Sequence, residues 1–112
     1  RHALEAGCRV AISSDGPTIP TFGLENIRAA VTRLDVEGQP VGPGQSIPRP
    51  DALRAATLGG AEACGLQEDK GSIAVGKQAD FAILSGDPFD PSTRVIETWV
   101  AGRKVWPGNA QD

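Results

Sequence analysis

Among the side chains of this sequence that can do chemistry, Asp15 occupies the most suggestive place. The stretch RVAISSDGP, residues 9–17, runs from an apolar segment into two hydroxyls, a carboxylate, a glycine and a proline. A carboxylate can ligate a divalent cation or accept a proton from an attacking water. In α/β folds such groups gather just past the carboxyl ends of parallel strands. A turn aspartate that caps its own backbone is the commoner occupant of such a position, and position alone leaves both readings open.

The remaining candidates point to structure. His2 is the single histidine, and a zinc centre takes three or four protein ligands, so His2 reads as a surface residue. Cys8 and Cys64 form no C-x-x-C motif and read as reduced, partly buried thiols, with one disulfide between them left open. The string VGKQAD lacks the G-x-x-x-x-G-K-[ST] pattern of a phosphate-binding loop. Asp80 is expected to tie down the turn over 76–79, and Asp87-Pro88 and Asp90-Pro91 to form turns. Trp99 and Trp106 are expected to pack rather than to stack on a ligand. Arg33 and Asp35, in TRLD, read as a solvated salt bridge worth at most about 1 kcal/mol.

The elements that must position these groups can be read along the chain. Residues 1–7 suit the end of a helix, with Gly7 at its stop. Residues 9–13 suit a short buried strand. A loop follows over 16–23, then a helix over about 24–34 with Leu24, Ile27, Val31 and Leu34 on one stripe. Residues 35–48 form a long polar loop. A second helical stretch runs from Pro50, at N1, to Cys64, interrupted at Gly59-Gly60 and stopped by Gly65. The last third changes period: a short strand in GSIAV, a turn at Gly76-Lys77, the strand DFAILS, then a hairpin VIETWVAGRKVW turning at Ala101-Gly102. Alternating faces and tight turns imply a mostly antiparallel sheet or half of a sandwich.

Bulk properties narrow the function classes. The chain has 112 residues and a net charge of −3, and its basic residues are scattered. That disfavours nucleic acid as a partner, since such binding rests on clustered Lys and Arg. No apolar run approaches the roughly 20 residues of a membrane span, and the N-terminus RHALEAG has no signal-peptide core. The expected compartment is therefore the cytoplasm. One strand followed by helices cannot bury a core unaided, and the first residue is not Met, so a piece of a larger protein is expected.

Four stretches together carry a resemblance: AISSDGP, AAVTRLDVEGQPVGPGQSI, ALRAATLGGAEACGLQEDKGSIAVGKQADFAILSGDP and VIETWVAGRKVW. They resemble the C-terminal part of the amidohydrolase superfamily, in its YtcJ-like, N-substituted formamide deformylase-like branch. KGSIAVGKQADFAIL is the most specific of the motifs. The resemblance implies an α+β fragment: the end of a (β/α)8 TIM barrel, its last strand and following helices over 1–64, then the C-terminal strands of a small β-sandwich over 65–112. It maps RVAIS onto the last barrel strand and Asp15 onto the aspartate at that strand's end, which touches the metal and relays a proton from the attacking water. The implied cofactor is a divalent metal, zinc first, held by the full-length protein and not stably by this chain. The family's His-x-His pair and further ligands are absent from this chain, so the resemblance implies one piece of an active site. The implied substrate is a small amide or formamide-like molecule. The alternative is a non-catalytic structural or self-associating domain, with a homo-oligomer as its expected form.

Overall fold

A computed structural model of the chain describes residues 1–17 and 23–107. Among these residues four helices come first, α1 (His2–Glu5), α2 (Gly23–Thr32), α3 (Arg49–Ala56) and α4 (Leu58–Ala63), with a 3-10 turn at Pro43–Gln45. Three strands follow, β1 (Phe81–Leu84), β2 (Val95–Val100) and β3 (Arg103–Trp106), as an antiparallel sheet in the order β1-β2-β3. The expected loop over 16–23 falls largely on residues 18–22, outside the described residues.

The small core lies where α2 meets α3. Ile27, Ile47 and Ala52 are buried there, with Leu4, Val31, Leu53 and Phe89 packed around them. Ile27 and Val31 sit on the expected stripe. Leu34 does not extend it: α2 stops at Thr32, Arg33 turns left-handed at φ 56°, and Leu34 is 45% exposed, bridged instead to Pro40. Arg33 and Asp35 do not form the expected ion pair. Arg33 Nε donates to the Val41 carbonyl, and Asp35 Oδ1 accepts from the amides of Glu37 and Gln39. Backbone groups of a tight loop have no other partners, so they take both side chains.

The second helical stretch divides at Thr57 (φ −118°, ψ −89°), not at Gly59-Gly60. Its first residue is Arg49, which places Pro50 one position later than expected. Gly59 is buried inside α4 because another segment lies against it. Gly65, at φ 71°, follows the end of α4 as expected.

Among the described residues neither RVAIS nor GSIAV pairs into a sheet, which corrects two expectations. A strand needs a ladder partner for its alternate backbone groups. RVAIS finds one acceptor on a helix instead, the Ala55 carbonyl for the Ile12 amide at 3.1 Å. In GSIAV, Ile73 and Val75 are 94% and 106% exposed. The strand expected as DFAILS is limited to FAIL.

The hairpin forms as expected, and its turn residues Ala101 and Gly102 both have positive φ, 49° and 74°. That is the backbone of a type I′ turn, whose twist matches the flanking strands. The register shifts between Thr98 and Trp99 against β3, and between Ile83 and Leu84 of β1 against β2. These irregularities explain why Val95, Trp99, Val100, Val105 and Trp106 follow no single alternation. Trp99 packs on Phe81, ring centroids 5.6 Å apart and planes 14° from parallel. Trp106 is 51% exposed, contrary to the packing expected of it.

Candidate functional site

Asp15 is delivered by a segment that leaves α1 and crosses the α3–α4 pair. Gly7 turns the chain at φ 76°, and the Cys8 amide closes the turn on the Ala3 carbonyl at 2.9 Å. The Val10 carbonyl then lies against Gly59, and the Ile12 amide reaches Ala55. Asp15 itself is left-handed, φ 52°, a conformation that Asp tolerates better than most residues. Its amide donates to Ser13 Oγ at 3.4 Å. The side chain is exposed, and among the described residues its carboxylate accepts no hydrogen bond.

The described residues contain no group of three or more His, Cys, Asp and Glu side chains able to hold a metal ion. This donor set does not fit a metal centre by itself. His2 is exposed, as expected, with its ring 3.0 Å from the Gln45 side-chain amide. Cys8 and Cys64 are free and exposed, which corrects the expectation of partly buried thiols. Cys8 follows a helix stop and Cys64 caps α4, positions that face solvent once the backbone turns.

The string KGSIAVGKQAD resolves into a hub that joins the helices to the sheet. Lys70 pairs with Asp80 at 2.8 Å. Gly71 (φ 88°) lies on α4 so closely that a Cβ there would stand 2.6 Å from that of Ala61. Gly76 (φ 91°) turns the loop back, and Lys77 Nζ donates to the carbonyls of Gln67 and Lys70. Asp80 does not tie down the 76–79 turn. Its Oδ1 accepts the Ala101 amide at 2.7 Å, holding the hairpin's left-handed turn. That amide, and then the Lys70 ammonium, hold the Asp80 carboxyl below the usual carboxylate range.

Asp87 and Asp90 are turn formers as expected, accepting the amides of Phe89 and Ser92 at 2.8 Å. The Ser92 amide and hydroxyl lower the Asp90 carboxyl's pKa. Sequence reasoning missed Arg28. Its guanidinium reaches from α2 to the carbonyls of Pro88 (2.9 Å) and Asp90 (2.7 Å), locking that loop to the helices. No local pattern marks an arginine whose acceptors lie some 60 residues away.

A concavity of about 1180 Å³ opens between the helices and the sheet and is lined by Leu24, Ile27, Leu53, Phe81, Leu84 and Val95 among others. Asp15 is not part of its wall. The groove is lined mainly by apolar side chains, with Glu25, Arg54, Asp80 and Arg94 at it as well.

The class of protein to which this helical half and small sheet belong is given by comparison with known families. The chain belongs to the amidohydrolase family, whose model matches residues 1–106. It is 35% identical over 108 residues to N-substituted formamide deformylase of Arthrobacter pascens, covering 91% of this chain and 20% of that one. To YtcJ of Bacillus subtilis (strain 168), which bears an amidohydrolase's name, it is 34% identical over 94 residues, 80% of this chain and 18% of that one. The crystal structure of an amidohydrolase from Thermotoga maritima MSB8 superposes with a TM-score of 0.75 at 29% identity, covering 92% of this chain and 24% of that one. The chain thus spans about a fifth of the length of the curated relatives it matches.

Proposed function

We propose that this chain is the C-terminal part of a hydrolase that cleaves a carbon–nitrogen bond in a small amide or formamide-like substrate, with Asp15 as its contribution to the active site. The observation that carries the reading is the Asp15 carboxylate, exposed and without a hydrogen-bond partner among the described residues, in a chain of the amidohydrolase family. Residues 1–64 take the place of the last strand and helices of a (β/α)8 barrel, and residues 65–112 that of the closing strands of a small β-sandwich. RVAIS gains its ladder partners only from the strands of such a barrel. The family generally uses a divalent metal, zinc in this reading; when bound by ligands elsewhere in the longer protein, it lowers the pKa of water towards about 7. The work of this chain is to hold Asp15 where one carboxylate oxygen takes the proton of the attacking water and returns it to the leaving nitrogen.

Asp15→Asn in the full-length protein tests this. The amide is nearly isosteric but is a very weak base, so kcat should fall by roughly 10²–10⁴ with Tm little changed. Metal content should fall less than kcat does. A near-normal kcat would reduce Asp15 to a turn residue.

A second reading is favoured by the exposed Ile73 and Val75 and the apolar groove: the chain alone is a self-associating, non-catalytic unit. Light scattering should then show a mass that rises with concentration. A constant monomer mass would exclude it.

A further inference from the structure

We propose that Gly59 is a positioning residue for Asp15: the α3–α4 pair is cut and hollowed so that the segment bearing the carboxylate lies directly on it. The inference rests on the reading of Asp15 given above. Two contacts fix the segment, and both are made to backbone. The first follows from the break at Thr57. A helix that ends leaves its last carbonyls without intrahelical partners. α3 ends at Ala56, and the Ala55 carbonyl accepts the Ile12 amide at 3.1 Å, three residues before Asp15. The second follows from the missing side chain at 59. A Cβ on Gly59 would stand 2.3 Å from the Val10 carbonyl oxygen and 3.2 Å from that of Arg54. Both neighbours are backbone atoms rather than flexible side chains, so the contact can be relieved only by moving backbone.

Gly60 supplies the internal comparison. It lies in the same helix, and a Cβ there would meet nothing within 4 Å. Helix propensity treats the two glycines alike, and alanine at either favours the helix. What separates them is the Val10 carbonyl. Ordinary van der Waals contact begins near 3.4 Å, so alanine at 59 pushes the Val10 carbonyl back by about 1 Å. A displacement of about 1 Å at a reacting group costs on the order of 10²-fold in rate.

The test is a mutant cycle in the full-length protein, with kcat, KM, metal content and Tm measured for each variant. Gly59→Ala should lower kcat about 10²-fold with KM changed little, and Gly60→Ala should leave both unchanged. In the Asp15→Asn background, Gly59→Ala should cost little more, because it acts through a carboxylate already removed. If Gly59→Ala does not fold while Gly60→Ala does, the contact at Gly59 serves the fold rather than the placement of Asp15, and the proposal is overturned. Equal effects of Gly59→Ala and Gly60→Ala, or losses that simply multiply with Asp15→Asn, would overturn the proposal. A near-normal kcat for Asp15→Asn alone would instead overturn the functional reading beneath it, so the two failures are distinguishable.

Discussion

Gly71→Ala should destabilise the chain far more than Gly76→Ala, although both glycines lie in one loop at almost the same φ, 88° and 91°. An L-residue in left-handed backbone costs roughly 1–2 kcal/mol. The smaller entropy of the unfolded alanine chain returns about 0.4–1 kcal/mol. Gly76 has nothing within 4 Å of its would-be Cβ, so its net loss should be about 1 kcal/mol or less. Gly71 faces α4 with its would-be Cβ 2.6 Å from the Ala61 Cβ, 3.0 Å from the Leu58 Cα and 3.3 Å from the Thr57 carbonyl. Overpacking of this kind adds about 1–3 kcal/mol, because α4 must move away from the loop. The assay is urea denaturation followed by Trp99 and Trp106 fluorescence, with free energies compared at equal slope. Gly71→Ala should lose about 1–4 kcal/mol in all, about 1–3 kcal/mol more than Gly76→Ala. Equal losses for the two variants would show that the loop does not rest on α4, and would refute the account of the hub.

Asp80 should make the hairpin's docking sensitive to acid. Its folded pKa is depressed, so its contribution is present above the unfolded carboxylate value of about 3.9 and is lost as pH falls through the folded value. The gap in urea midpoint between the parent chain and Asp80→Asn should therefore close below about pH 4; a gap constant down to pH 2.5 would contradict the Ala101 and Lys70 bonds. Gly102→Val should lower the stability by the order of 1 kcal/mol or more and so lower the denaturation midpoint, from backbone strain at φ 74° alone, because the nearest atom to a Cβ there is 4.0 Å away. An unchanged midpoint would place the turn elsewhere.

Local signals located most of the elements. Gly7 and Gly65 stop helices where their freedom at positive φ is needed. Ile27 and Val31 at helical spacing put one face of α2 into the core. Ala101-Gly102 between β-rich runs produced the hairpin. The failures share a cause. RVAIS and GSIAV have strand composition, but a strand exists only with a ladder partner, which no composition guarantees. Gly59-Gly60 looked like a helix break because glycine is a poor helix former. The break falls at Thr57 instead, and Gly59 stays helical to accommodate the Val10 carbonyl.

By itself the sequence determined that Asp15 follows an apolar segment and precedes a Gly-Pro turn, that one histidine cannot complete a metal centre, and that the chain's last third prefers strands. These are properties of neighbouring residues and of residue chemistry, which periodicity and composition record. Only the tertiary structure decided that Asp80 serves a turn 21 residues away, that Arg28 clamps the loop at 88–93, and that Gly59 bears the backbone leading to Asp15. Such contacts are chosen by which buried or turning backbone group lacks a partner after the chain has packed. That is a property of the assembled fold, because an unmade hydrogen bond carries its cost only once water has been excluded, and a clash arises only once the two segments have packed together.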